Sequence, residues 1–323
     1  MRRYVRVVLV AFLLSLTLQA TGFAANANPR SVPTNYGLEL DGVFAGWLYS
    51  AEGGGATSDV VVDKLGPDHI ARKHIAGVKY EDITVAVGPG MSTAFYQWIK
   101  DSFDHKATRK NGAIITAEHN GNVLSRTAFT NALITEVGFP ALDAASKDAA
   151  KMTIKFAPEY TRRVSATGKV AGISAKGDQK KWLPANFRLR IDGLDDATSR
   201  VNSIEAIVVK QKVAENPVGE VRDFEVEPTK LEIPNLAFTV AESSADPLYA
   251  WLDDFVIQGN NGQDQEKTGS LEFLGPDLKE VLFRLDFQGL GIFKLTPDKL
   301  EAGAESIRRV RAELYVEEMA FSR

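Results

Sequence analysis

Four histidines, His69, His74, His105 and His119, are the residues best suited to metal ligation or general acid–base work. His69 and His74 stand five apart in "DHIARKH". That spacing places two imidazoles together on neither a helix nor a strand, where i,i+4 or i,i+2 is needed, so both read as solvated loop residues. Cysteine is absent, which removes thiol catalysis and Cys-type zinc sites. Asp101 and Asp254 recur at like places in two similar phrases. A carboxylate pair cleaves a glycoside only when both groups flank one bond; these two sit in separate repeats and read as solvated helix faces. The Gly-rich "EGGGATS" (52–58) lacks the following Lys-Ser/Thr of a phosphate loop and reads as a mobile loop. "GNNGQDQE" (259–266) has oxygen donors without the alternating spacing of a calcium loop. "DHKATRKNG" (104–112) is a short basic loop, and no Gly-x-Ser-x-Gly is present. This inventory predicts no catalytic residue, no metal site and no cofactor: the chain is expected not to be an enzyme.

The two phrases that carry Asp101 and Asp254 are informative for another reason. "FYQWIKDSF" (95–103) and "LYAWLDDFV" (248–256) each place a Trp on an apolar stripe, with Phe95, Trp98, Ile99 and Phe103 in one and Leu248, Trp251, Leu252 and Phe255 in the other. Both spacings predict a short amphipathic helix. Ser92 is placed to cap the first, and Asp246 with Pro247 to open the second. Each Trp lies on the face that must be buried against a sheet, so Trp98, Trp251, Phe95 and Leu248 are predicted as structural core anchors.

The helix phrases belong to a longer internal match. "LELDGV" (38–43) faces "LRIDGL" (189–194), "EDITVAV" (81–87) faces "PNLAFTV" (234–240), and Phe129 aligns with Phe287. Met152, Ile154 and Phe156 align with Val310, Ala312 and Leu314. Matches that keep their order and drift slowly in offset predict a duplicated domain. Around the helices, "ITVAV", "MTIKF" and "VLFRLDF" are β-branched or alternating runs, the pattern of half-buried antiparallel strands. The expected fold class is mainly β (α+β): two tandem β-barrel or sandwich domains, each with one flanking helix, at 31–163 and 183–323. The Gly-, Ala-, Ser- and Lys-rich stretch 164–182 between them reads as a linker.

Residues 1–25 carry Arg2, Arg3 and Arg6, then an apolar run and the small residues of "TGFAA". This is the order of a secretory signal peptide, and the run is shorter than the ~20 residues of a spanning helix. The mature chain is therefore expected to be secreted or periplasmic and to leave the membrane once the signal is cleaved. Lys/Arg and Asp/Glu balance at 15 each over residues 27–164, whereas residues 165–323 carry 20 and 27. No basic face calls for nucleic acid.

The stretches "LELDGVFAG", "GVKYEDITVAVGPGMSTAFYQWI", "KNGAIITAEHNGNVLSRTAFTNAL" and "DAAKMTIKF", in that order, resemble the tail tube proteins of contractile phages and related injection systems. The second half resembles them more loosely through "LRIDGL", "LAFTV", "YAWLDDF" and "VRAEL". The resemblance implies small β-barrel-like domains that form six-fold rings stacked into a hollow tube. Two domains per chain then imply self-association of three chains into a pseudo-six-fold ring. The alternative is an exported binding module that uses loops of the same β domains to hold a ligand or surface glycan. Export is expected to remove residues 1 to about 24. N-terminal sequencing of protein recovered from a secreting host checks this, and a mature chain still beginning at Met1 refutes it.

Overall fold

Buried residues alternate with half-exposed ones in segments such as Ile83–Val87 and Met152–Ala157, and this period of two makes the chain predominantly strand. A computed structural model describes residues 35–63, 70–170, 182–217, 224–299 and 307–323. The predicted signal, His69 and most of the predicted linker lie outside the described residues. The chain from Pro33 to Arg323 forms one compact unit.

Its first half runs β1 (Asn35–Leu40), β2 (Val43–Leu48), β3 (Ser50–Gly53), β4 (Ala56–Asp63), β5 (Arg72–Tyr80), β6 (Ile83–Val87), α1 (Thr93–Phe103), β7 (Lys110–Ala117), β8 (Val123–Phe139), β9 (Leu142–Asp143), β10 (Met152–Ala157) and β11 (Tyr160–Ser165). The second half runs β12 (Phe187–Ile191), α2 (Asp195–Thr198), β13 (Val201–Ile204), β14 (Ile207–Pro217), β15 (Phe224–Glu232), β16 (Leu236–Ala241), α3 (Asp246–Leu252), β17 (Lys267–Leu274), β18 (Val281–Pro297) and β19 (Arg309–Ser322).

Strand order repeats between the halves. The first contains β1-β7-β8-β10-β6-β3 and the second β12-β17-β18-β19-β16-β13. Register repeats too: Gly112 faces Phe129 where Gly269 faces Phe287, and Val85 faces Ile154 where Phe238 faces Ala312. The two glycines have one cause. A Cβ on Gly112 would lie 2.1 Å from the Glu39 carbonyl oxygen, and one on Gly269 would lie 2.6 Å from that of Arg190, so each lets the neighbouring strand close in. Strands β8 and β18 are both 17 residues long. Each contains one residue in the left-handed region, Asn131 at φ 50° and Gly289 at φ 62°, close to a register shift in its pairing with β7 or β17. Up to Ala132, β8 pairs with β7 and β11; from Leu133 on, with β10 and β14. A bulge that re-aims a strand in this way lets one strand serve two sheet faces.

The helices pack as their stripes require. Helix α1 is capped by Ser92, whose Oγ accepts from the Phe95 N–H at 3.3 Å. Phe95 is buried, Trp98 is 1% exposed, and the Trp98 ring centroid is 5.4 Å from that of Phe156. The indole Nε1–H of Trp98 donates to the Thr108 carbonyl at 2.8 Å. Leu248 and Trp251 are likewise buried on α3, but the start of α3 differs from the sequence expectation. Ala245, not Asp246, occupies the cap position, and no side chain caps the helix. A 3₁₀ turn at Glu242–Ser244 leads directly into it, and Pro247 in the first turn lacks only an N–H that has no helical partner there. Helix α3 ends in a π-helical turn, Asp253–Ile257, which carries Phe255 into the core against Trp251.

Three further expectations are corrected. Glu52–Ser58 is not a free loop: Glu52 and Gly53 end β3, Ala56 starts β4, and the Gly54 and Gly55 carbonyls accept from Thr161 and Glu81. Asp101 is not a solvated carboxylate. Its side chain is 14% exposed and accepts from Gln97 and Thr108. Burial raises its pKa, but those hydrogen bonds and the Lys106 charge outweigh burial and hold it below the usual carboxylate range. The ends of the stretch read as a linker are ordered as well, since Val164 and Ser165 belong to β11 and Trp182 is 1% exposed.

Truncating a buried Trp to Ala removes a large apolar area and leaves a cavity, at ~3–5 kcal/mol. Trp98→Ala and Trp251→Ala are each expected to fall in this range. Trp98→Ala should cost more, because it also strands the Thr108 carbonyl, whereas the Trp251 Nε1 has no partner among the described residues. Denaturant melts check both, and unchanged midpoints would refute the helix-on-sheet anchoring.

Candidate assembly interface

Beyond the bulge, β8 has an edge that its own half does not cover. Strand β14 covers it. Ile207, Val208, Val209 and Lys210 pair antiparallel with Phe139, Gly138, Val137 and Glu136. The reciprocal contact lies next to it: Leu142 and Asp143 of β9 pair with Ile204 and Ser203 of β13. Each half therefore adds a strand to the other's sheet, which satisfies main-chain groups that an open edge would leave bare.

Side chains seal this seam with aromatic rings. Phe321, on β19, has its ring centroid 5.9 Å from Phe103 and 6.1 Å from Phe139, both in the first half. Phe139 also stacks on Phe273 at 5.3 Å. Trp182 packs on Phe273 and Phe283, and its carbonyl accepts from the Ala150 N–H. Tyr96 projects from α1 off the Trp98 stripe, yet it is 3% exposed because Phe283, Phe321 and Arg323 cover it. The Arg323 guanidinium lies 3.9 Å from the Tyr96 ring centroid, a cation–π geometry. It also donates to the Met91 and Pro89 carbonyls at 3.1 Å each. Burial pushes the Tyr96 hydroxyl up to about 12, with the Arg323 charge pulling the other way, so it stays neutral and donates to the Gly88 carbonyl at 3.1 Å.

None of the four predicted anchors lines this seam. Phe95 and Trp98 are buried in the first half, and Leu248 and Trp251 in the second. Phe139, Phe273, Phe283, Phe321 and Trp182 were not singled out from sequence. One signal was available: Tyr96 sits off the apolar stripe of α1, where a large ring needs cover from elsewhere. Among the histidines, His74 Nδ1 lies 3.0 Å from Asp63 on an exposed hairpin, and His105 and His119 are exposed. Among the described residues no group of three or more His, Asp or Glu is arranged to hold a metal. No described helix is long and apolar enough to cross a membrane.

Phe321 is 2% exposed and touches rings from both halves. Phe321→Ala should cost ~3–5 kcal/mol as a core truncation and should raise hydrogen exchange at 136–139 and 207–210 above that elsewhere. Unchanged exchange at those strands would mean that pairing alone holds the seam.

Among known families, residues 32–162 match the T4-like virus tail tube protein gp19 family. None of the curated proteins matches the chain. Among solved structures it is similar to a chain of the anti-feeding prophage tube-terminating cap, at 22% identity over 44% of this chain and 99% of that one, TM-score 0.36. It is also similar to a chain of the extended PVC sheath–tube complex, an extracellular contractile injection system, at 20% identity over 46% and 100%, TM-score 0.39. Hcp1 from Flavobacterium johnsoniae follows at 15% identity over 42% and 94%, TM-score 0.26. That match spans β1 to β10 and the first three residues of β11.

Proposed function

We propose that this protein is an exported, non-enzymatic tube-type structural protein, built as a fused pair of tail-tube-like domains that assembles into rings. The domains are 31–163 and 183–323, joined by the stretch 164–182, whose described ends continue β11 and pack Trp182 into the seam. The observation that carries the reading is the seam: two halves with the same strand order and register complete each other's sheets side by side. Head-to-tail contacts of this kind generate a closed ring when the rotation returns to its start. The tail tube match over the first half supports the same reading, and the six-fold rings implied by the family make three chains the expected closure.

Light scattering of the mature chain across a dilution series, with negative-stain images of the same sample, tests this. Particles of three chains with a central hole are expected. Monomers at every concentration would overturn assembly and favour a binding module.

A further inference from the structure

Because the halves repeat, every contact in the seam has an equivalent on the outside of the chain. Register fixes the equivalences. Edge residues 136–139 of β8 correspond to 294–297 of β18, since Thr153 and Lys155 face Gly138 and Glu136 where Arg311 and Glu313 face Thr296 and Lys294. Residues 207–210 of β14 correspond to 54–57, since Lys210 faces Glu232 where Thr57 faces Lys79. Both outer segments are open. Among the described residues, 294–297 pair with β19 on one side only, and 55–57 are exposed.

The side chains around these outer segments have changed character together. Phe273, Phe283 and Phe321, which fill the seam, correspond to Thr116, Ser125 and Arg163. On the receiving helix, Tyr96 corresponds to Tyr249, which is 38% exposed, and Thr93 and Lys100 correspond to Asp246 and Asp253. In the seam, Phe321 borders the same groove as Thr93 and Lys100. The same placement on the outside sets Arg163 against Asp246 and Asp253. Among the described residues, Arg163, Asp246 and Asp253 make no ion pair within the chain, and Arg163 and Asp253 are exposed.

We infer that the second half of one chain docks the first half of a second copy through antiparallel pairing of 294–296 with 55–57, locked by Arg163 against Asp246 and Asp253. Pro297 has no N–H to give, so the pairing stops there. This rests on the assembly reading above. It adds that the contact between chains is short, polar and ionic, whereas the seam within the chain is aromatic. Such a contact weakens as salt rises.

Two experiments on the mature chain test it. Charge reversal comes first. Arg163→Glu and Asp253→Lys should each weaken association about tenfold or more, because attraction becomes repulsion, and the double variant should recover most of that loss. High salt should dissociate the wild type and spare the monomer fold. Cross-linking comes second, on a chain with no native cysteine. Thr57→Cys with Lys294→Cys should oxidise between chains, because paired strands hold Cα atoms within disulfide reach; Val62→Cys with Lys294→Cys should not. A ladder that stops at three chains supports both the contact and the ring. A ladder that continues upholds the contact and overturns the closed ring. Assemblies that ignore charge reversal, salt and cysteine placement overturn the contact and leave assembly standing. A wild type that stays monomeric overturns both.

Discussion

A strand edge with free N–H and C=O groups must be paired, covered or kept short, and the architecture follows from how one such edge is treated. Strand β8 turns at Asn131 and so presents Glu136–Phe139 beyond the sheet it starts in. Strand β14 takes that edge, and β9 returns the favour on β13. Once the backbones are joined, the aromatic rings at the seam have no route to water, and Tyr96 follows them inward beneath the exposed Arg323. The order is physical. Main-chain pairing fixes register, and register decides which rings meet.

Much of this fold was legible in the sequence because it is local. The Trp phrases, the alternation in 152–156 and the cap at Ser92 are patterns within a few residues, and they map directly onto α1, α3 and β10. Asp246 misled because a 3₁₀ turn stood in front of it, which periodicity does not reveal. Asp101 misled because its partner Thr108 lies on the next loop. The repeated glycines at 112 and 269 were readable in "KNGAI" and "KTGSL" but have meaning only once the crossing strand is known. The seam left a single trace in the sequence, Tyr96 off the apolar stripe of α1. Pairing of 207–210 with 136–139 leaves no periodic trace, and Phe273 or Phe283 looks like any inward residue of a strand.

Equivalent positions that differ are more telling than those that agree. In the assembly proposed here, the seam forms within one chain, so its partner is always present at high effective concentration and its surface is never exposed to solvent once the chain has folded. Aromatic packing there carries no risk. The outer surfaces are bare in every unassembled copy, and a contiguous apolar patch there would invite the wrong partner. Thr116, Ser125 and Arg163 in place of Phe273, Phe283 and Phe321 remove that patch. The acidic excess of residues 165–323 over the balanced 27–164 then has a local meaning. Part of it sits at Asp246 and Asp253, on the helix where the first half carries Thr93 and Lys100. In the proposed fused pair, one copy of the interface is permanent and the other is selective. Like charges on one face oppose self-pairing of identical faces and leave the head-to-tail arrangement as the favourable one.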